Sequence, residues 1–529
     1  MMNLLTGAQI KELDRLAVEA GVPESTLMET AGCAVAEAIG RRFTVDRIVV
    51  IAGSGGNGGD ALVAARRLHE TGVEVHAFTL SPSADLSPLT KEKVELLLAA
   101  APGSSTLLTE DLSPLIKALS SADCVIDGLL GIGVDRPLEG RYAAVVRAVN
   151  RAQTLRVAVD LPSGLPADRG RLLGEAVHAD LTVGMAAYKP AHLLYPARGF
   201  CGEVEIVPVG YPPQVLDKVA PIASVVEGEW VRSHLPSRAP DGHKGTFGRV
   251  LIVAGSTGMS GAAILCAQGA LRAGSGLVTL ASPGLLNPIL AAALPEVITL
   301  PLPDREGHLT EDALATLEPA LATADVVVIG PGLSRDLAVT TVVRRLLTLV
   351  TVPLVIDADG LFPFAGRLDL LRAVAGRAVL TPHPGEMARL IGRSAEEIDR
   401  ARIDLSRDFA GEHGVVLLLK GRPTAIGTPE GEVYLNPTGN TGLATGGSGD
   451  LLTGLIAGLI AGGAAPTPAA VIGAFIHGYT ADLLARDRAE RSIIPSDLVD
   501  ALPYALAEVE NGSRRCRQAT QTNPHSPFG

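Results

Sequence analysis

The run Gly439-Asn440-Thr441-Gly442-Leu443-Ala444-Thr445-Gly446-Gly447-Ser448-Gly449-Asp450 leads straight into the apolar Leu451-Leu452-Thr453-Gly454-Leu455-Ile456. This spacing predicts a glycine-dense loop set against the start of a helix. Glycines admit positive φ and aim successive N–H groups at one point, and the helix N-terminus adds partial positive charge. Such a place suits phosphate. Asp450 stands out there, because a carboxylate repels a bound phosphate. It either caps the helix, takes a proton from an attacking hydroxyl, or helps to hold a metal.

A second glycine run, Gly53-Ser54-Gly55-Gly56-Asn57-Gly58-Gly59-Asp60, lies between a strand-like stretch and a helical one at 61–70. Its position suits a phosphate or dinucleotide loop, although the spacing departs from GxGxxG and a plain glycine-rich turn is the alternative. Three further segments put polar groups after apolar runs: Asp127-Gly128 with Gly131-Ile132-Gly133, Asp160-Leu161-Pro162-Ser163-Gly164, and Tyr188-Lys189-Pro190. In an open α/β sheet the carboxyl ends of strands gather in one crevice. Asn57, Asp127, Asp160 and Ser163 are therefore expected to converge, against the alternative of a solvated turn at Asp160 and a cap at Ser163.

The elements that must position these residues come in two series. Apolar runs at 47–52, 73–78, 123–127 and 155–160 alternate with helical patterns, as do those at 249–254, 325–329, 353–357 and 415–419. Continuous apolar strands separated by helices imply mostly parallel sheets covered on both faces. Thr6 with Gln9 marks an opening helix by a capping box. The pattern fades between Pro212 and Pro240, which places the connection there. The expected organisation is an N-terminal domain over 1–218, a C-terminal domain over 225–510 and a polar tail over 511–529.

A chain of 529 residues exceeds one ordinary core. With 19% charged and 47% hydrophobic residues and 59 glycines, it reads as a glycine-rich α/β protein and not a disordered one. A net charge of −12 argues against nucleic acid or an anionic membrane as partner. The five cysteines are scattered without CxxC spacing, which excludes a disulfide framework or zinc site, and the N-terminus lacks signal-peptide character. A cytoplasmic location is the expectation. The uncharged stretch 451–476 has the length of a membrane span, but Gly462, Gly463, Pro466 and Pro468 divide it into two pieces of core-helix length.

The first-half motifs, with Tyr195-Pro196-Ala197-Arg198-Gly199, resemble the NAD(P)H-hydrate epimerases. That resemblance implies a Rossmann-like three-layer sandwich with potassium beside the hydrated nicotinamide, held by Asn57, Asp127 and Ser163. It implies substrate contacts from Asn57, Gly58, Gly59, Asp60 and Ala61, from Gly131, Ile132, Gly133, Val134, Asp135, Arg136 and Pro137, and from Asp160. Two positions depart from the family pattern: Thr30 stands for asparagine in Glu29-Thr30-Ala31-Gly32, and Ala61 for glycine.

The second half resembles the ADP/ATP-dependent NAD(P)H-hydrate dehydratases, relatives of the ribokinase-like kinases. The motifs include His243-Lys244-Gly245, Gly258-Met259-Ser260-Gly261-Ala262, Gly330-Pro331-Gly332, Asp357-Ala358-Asp359-Gly360, Thr381-Pro382-His383-Pro384-Gly385-Glu386 and Lys420-Gly421-Arg422-Pro423-Thr424. Ser334 stands where glycine is usual. The resemblance implies a ribokinase-like three-layer sandwich, substrate contacts from Ala262, Gly332, His383 and Asp450, and nucleotide contacts from Lys420, Gly421, Arg422, Pro423 and Thr424 and from Gly446, Gly447, Ser448 and Gly449. The parts suit phosphoryl transfer with Asp450 as proton acceptor. Asp357 and Glu386 are candidates to bind magnesium through water, His383 has a turn-bonding alternative, and Lys244 reads equally as a contact or a solvated charge.

The expected activity is repair of hydrated NADH and NADPH. One half interconverts R and S NADHX or NADPHX, with Asp160 handling the proton. The other dehydrates the S form using ADP or ATP through a phosphorylated intermediate, with Asp450 catalytic. A homo-oligomer is expected. A ribokinase-type small-molecule kinase fused to a nucleotide-binding domain, or a non-catalytic nucleotide sensor, are the rival readings.

Overall fold

The computed structural model describes residues 1–512. Asn511 still belongs to the helix Pro495–Asn511; the remainder of the expected tail, with Cys516, lies outside the described residues. The chain divides into two compact units, 2–222 and 223 onward.

In the N-terminal unit the capping box forms: Thr6 Oγ1 accepts from the Gln9 N–H at 3.2 Å, and Gln9 Oε1 accepts from the Thr6 N–H at 2.9 Å. Seven parallel strands follow the order Ser105–Leu107, Glu74–Thr79, Arg47–Ala52, Cys124–Gly128, Leu155–Val159, Leu181–Met185, Glu203–Val207. Alternation puts Ile48, Val50 and Ala52 against Glu24–Arg42 and Gly56–Glu70 on one face. Val49 and Ile51 meet Ser113–Leu119 and Gly140–Arg151 on the other. This is a three-layer sandwich. The order reverses between Arg47–Ala52 and Cys124–Gly128, so their carboxyl ends flank the crevice where such sheets bind ligands.

The glycine run works differently from the expectation. The helix begins at Gly56, not at 61, and none of Gly53, Gly55, Gly56, Gly58 or Gly59 has positive φ. Close approach is the requirement instead. A Cβ on Gly58 would lie 2.1 Å from the Gly53 carbonyl oxygen, and one on Gly128 would lie 2.4 Å from Ala61 Cβ.

In the C-terminal unit the strands run in the order Ala223–Val225, Val433–Asn436, Thr424–Gly427, Val416–Leu419, Ala378–Leu380, Leu354–Ile356, Val326–Ile329, Arg249–Val253, Leu277–Pro283, Ile298–Leu302. Most pairs are parallel, but Val416–Leu419, Thr424–Gly427 and Val433–Asn436 form an antiparallel meander. One face is covered by Ser260–Arg272, Ser448–Ala461, Pro466–Leu484 and Pro495–Asn511, the other by Ala313–Leu321, Leu337–Leu349 and Arg402–His413. The order reverses between Arg249–Val253 and Val326–Ile329.

The long uncharged stretch is two helices, Ser448–Ala461 and Pro466–Leu484, divided near Gly463 at φ 104°. Among the described residues no helix is long and apolar enough to cross a membrane. Ser448–Ala461 lies almost on the backbone of Ser260–Arg272: a Cβ on Gly454 would sit 1.8 Å from the Cys266 carbonyl oxygen. Gly→Ala in a helix ordinarily stabilises by roughly 1 kcal/mol. Here the sign reverses, and Gly454→Ala is expected to destabilise the C-terminal unit by about 1–3 kcal/mol through overpacking, read as a lowered thermal midpoint of that unit.

Candidate active sites

The N-terminal crevice holds a cavity of about 470 Å³ whose walls include Asn57, Gly58, Asp60, Gly131, Ile132, Gly133, Asp160, Asp14 and Tyr211. Beneath its floor a chain of hydrogen bonds joins residues from three strand ends. Asn57 Nδ2 donates to the Leu130 carbonyl at 3.1 Å, the Leu130 N–H to Ser163 Oγ at 2.8 Å, and Ser163 Oγ to Asp127 Oδ1 at 2.6 Å. Asp127 also accepts from the Ser163 N–H at 2.8 Å. Burial pushes its carboxyl up to about 6, although the bonds from Ser163 pull the other way.

Asp160 closes the cavity from a strained position, with φ 62°. Lys189, fully buried, donates to its Oδ1 and, at 2.7 Å, to the Met185 carbonyl. The Met185 N–H donates to Oδ1 as well, at 2.9 Å. His192 Nε2 bonds to the Asp160 carbonyl at 2.7 Å, and burial lowers this imidazole to about 4, so it is the neutral tautomer that donates.

Not every expected residue reaches the cavity. Ala61 is fully buried beneath Gly128, and Gly59 abuts Met28, so both support the loop from behind. Val134, Asp135, Arg136 and Pro137 continue the Gly131 loop away from the walls, with Asp135, Arg136 and Pro137 exposed. Thr30, the departure noted above, donates to the Thr26 carbonyl at 2.9 Å within its own helix.

In the C-terminal unit the substrate-side loops meet at the order reversal. A Cβ on Gly332, at φ 62°, would come within 3.1 Å of Ala262 Cβ, and Ser256 Oγ donates to the Gly332 carbonyl at 2.7 Å. Ser334 adopts φ 73°, a left-handed conformation that glycine would hold without strain.

The glycine loop splits into an occupied and an open part. Asp482 accepts from the Gly439 N–H at 2.8 Å and Glu490 from the Thr441 N–H at 3.0 Å, so the first half is tied down by carboxylates. Ser448 is spent too: its N–H reaches the Thr445 carbonyl at 3.3 Å and its Oγ shares a bond with His477 Nε2 at 3.1 Å. The N–H groups of Gly446, Gly447, Gly449 and Asp450 donate to no acceptor among the described residues. They form the anion cradle at the start of Ser448–Ala461.

Beside this cradle stands an ionic group. Lys420 Nζ donates to Asp357 Oδ1 at 2.9 Å and lies 3.9 Å from Glu386 Oε2, while Thr453 Oγ1 donates to Asp357 Oδ2 at 2.7 Å. Burial opposes the Lys420 charge, but Asp357 and Glu386 outweigh it and raise its pKa. A Cβ on Gly449 would lie 3.1 Å from Lys420 Nζ, which sets the ammonium at the cradle's edge. Burial and the Asp357 charge push the Asp450 carboxyl up to about 7, against the pull of Lys420. His383 makes the turn bonds that were its alternative reading. Its Nδ1 accepts from the Gly385 N–H at 3.0 Å, capping Pro384–Ile391, while the ring stays exposed. Lys244 is exposed.

Comparisons with known proteins match both halves of the chain. A family described as NAD(P)H-hydrate dehydratase matches residues 250–504, and one described as YjeF-related protein N-terminus matches 24–191. The chain is 44% identical to the bifunctional NAD(P)H-hydrate repair enzyme Nnr of Moorella thermoacetica, over 96% of this chain and 97% of that one. The chain belongs to the bifunctional NAD(P)H-hydrate repair enzyme family. It is an enzyme that joins an NAD(P)H-hydrate epimerase to a nucleotide-using dehydratase. A family member of the same name from Thermofilum pendens is 38% identical over 96% of each chain. The crystal structure of the ADP/ATP-dependent NAD(P)H-hydrate dehydratase from Bacillus subtilis, co-crystallised with ATP and magnesium, is 32% identical, covering 54% of this chain and 99% of that one with a TM-score of 0.46.

Several residues of these sites carried no sequence signal. Arg402 reads as an ordinary residue of an amphipathic helix. Yet it is buried, and its Nη1 donates to the carbonyls of Leu419 at 3.3 Å and Pro423 at 2.8 Å, while Nη2 holds Asp399 at 2.5 Å. It bridges both ends of the 420–423 loop. Only Gly421, at φ 142°, passes so close: a Cβ there would lie 2.4 Å from Arg402 Nη2. Thr453 was recoverable, since it sits one turn after Gly449 on the same helix face. Charged hydrogen bonds of this kind are worth about 1.5–3 kcal/mol. Arg402→Met is therefore expected to raise the dehydratase KM for nucleotide by roughly tenfold or more, while epimerisation by the same protein is unchanged.

Proposed function

We propose that the C-terminal site phosphorylates the hydroxyl of S-NADHX or S-NADPHX with ADP or ATP and then expels phosphate to regenerate NADH or NADPH. The observation that supports this most is the placement of Asp450, in the first turn of a helix at whose start four N–H groups have no acceptor among the described residues, near Lys420. The carboxylate accepts the hydroxyl proton as oxygen attacks phosphorus, and the amide cradle with Lys420 balances the charge on the transferring phosphoryl group. The ring nitrogen's lone pair then expels phosphate, and a proton leaves the adjacent ring carbon. Gly421, Arg422, Pro423 and Thr424 border the nucleotide, and His383, Ala262 and Gly332 border the hydrated ring.

Asp450→Asn tests this. Dehydratase turnover is expected to fall about 10²–10⁴-fold with nucleotide binding retained. In the unaltered enzyme turnover should decline as pH falls through about 7, because the base must be ionised to act. Turnover near normal in Asp450→Asn would remove Asp450 from the base role. Restored reduced-nicotinamide absorbance separates repair from a ribokinase-type transfer that ends in a stable phosphorylated product.

The N-terminal site, on this reading, interconverts the R and S forms with potassium at Asn57, Asp127 and Ser163. These residues suit the ion. Asp127 is buried with no cationic side chain paired to it among the described residues, and the set offers oxygen donors only, as a hard cation requires. The ion would supply positive charge beside the reacting ring. Replacing potassium by a bulky organic cation is expected to slow epimerisation, and Asp127→Ala to weaken that dependence; equal rates in both salts would count against the site. Asp357 and Glu386 are poorly free for magnesium, because Asp357 already accepts from Lys420 and Thr453 and Glu386 from the His383 N–H. Magnesium is proposed to arrive on the nucleotide phosphates instead, in keeping with their usual chemistry. A cytoplasmic homo-oligomer fits small soluble substrates.

A further inference from the structure

The epimerase cavity presents two carboxyl groups in opposite environments. Asp160 shares the fully buried Lys189 ammonium and accepts the Met185 N–H at 2.9 Å. Asp60 lines the same cavity and receives no hydrogen bond and no cation among the described residues. Two carboxyl groups on one cavity, one held by a cation and the other unpaired, form an arrangement that can divide acid from base. We propose that Asp60 is the general acid and Asp160 the general base in one direction of epimerisation, the roles exchanging in the other, with Lys189 as the positioning residue that holds Asp160.

The assignment rests on the epimerase reading and extends it. In one direction Asp60 gives its proton to the ring hydroxyl. The carbon–oxygen bond breaks with its electron pair, water leaves, and the ring nitrogen's lone pair forms a carbon–nitrogen double bond, giving an iminium ion. Water then adds to the opposite face of that carbon. The double-bond electrons return to nitrogen, and the proton of the added water passes to Asp160. The opposite crossing uses the same two groups with roles exchanged, so no oxidant or further reactant is required.

The surroundings support the division. Burial first, then the charges of Asp160 and Asp14, raise the Asp60 carboxyl well above the carboxylate range. The groups facing it from the other elements do not reverse this. Asp14 is bonded to the Tyr211 hydroxyl at 2.5 Å and is itself raised by burial, and Glu24 and Lys11 stand at the cavity mouth. Lys189 is committed to Asp160 and Met185.

The test follows R–S exchange in the full-length enzyme with NADHX and no nucleotide, in H₂¹⁸O, across pH. The unaltered enzyme should give a bell-shaped profile, with ¹⁸O entering the ring hydroxyl as fast as the epimers exchange. Asp60→Asn should lower kcat about 10²–10⁴-fold with KM little changed, and abolish the alkaline limb. Asp60→Glu should restore part of the rate and that limb. Lys189→Met should lower kcat for exchange with KM little changed, because Asp160 loses the ammonium that holds its carboxylate in place. Its fold is checked by the double variant with Asp160→Asn, which removes the uncompensated charge and should recover the thermal midpoint. Asp60→Asn with both limbs intact, or with its loss confined to KM, would overturn the acid assignment. An unaltered enzyme that exchanges no epimers would instead overturn the epimerase reading itself.

Discussion

Both sites depend on one steric constraint: a helix N-terminus must come against strand ends more closely than any side chain permits. In the first unit Gly53, Gly58 and Gly128 interlock with backbone 2.0–2.8 Å from where their Cβ atoms would be. In the second, a Cβ on Gly330 would lie 1.8 Å from the Asp357 carbonyl oxygen, and the helix that carries the cradle is pressed onto its neighbour, where a Cβ on Gly454 would lie 1.8 Å from the Cys266 carbonyl oxygen. Packing this tight sets the unpaired N–H groups of the second unit at the crevice. Without it the dipole of Ser448–Ala461 would face solvent, where its influence falls within a turn.

The two units, built on different strand orders, arrive at the same electrostatic arrangement. Each sets a lysine, fully buried in one and partly buried in the other, on an aspartate that follows a central strand, Lys189 on Asp160 and Lys420 on Asp357. Each leaves a second carboxyl nearby that burial drives toward the neutral form, Asp60 in one and Asp450 in the other. A buried ion pair contributes little net stability. Its value here is to fix one carboxylate in place beside a second that no cation holds as closely.

Glycine serves two distinct purposes in these loops. Gly447, at φ 97°, turns the chain into its helix, and Gly439, at φ 107°, opens the loop. In the N-terminal run no glycine needs such a φ, and clearance alone selects the residue. The same distinction accounts for Ala61. A methyl group fits beneath Gly128 because Gly128 itself carries none.

Much was legible from the chain alone. The two series of apolar strands, the helix pair hidden in 451–476, the capping box at Thr6 and the family motifs all depend on local order and period, which a sequence displays directly. It also indicated that Asn57, Asp127 and Ser163 would meet, because strand ends in such sheets gather by rule. What the sequence could not contain is the matching of partners across distance. Nothing near Lys420 announces that Arg402 braces its loop, nothing near Asp160 that Lys189 is buried on it, and nothing in the glycine run that Asp482 and Glu490 occupy its first half. Those assignments required the tertiary structure, because a long charged side chain looks the same in sequence whether it is solvated or buried, and only packing removes the water that would otherwise be its partner.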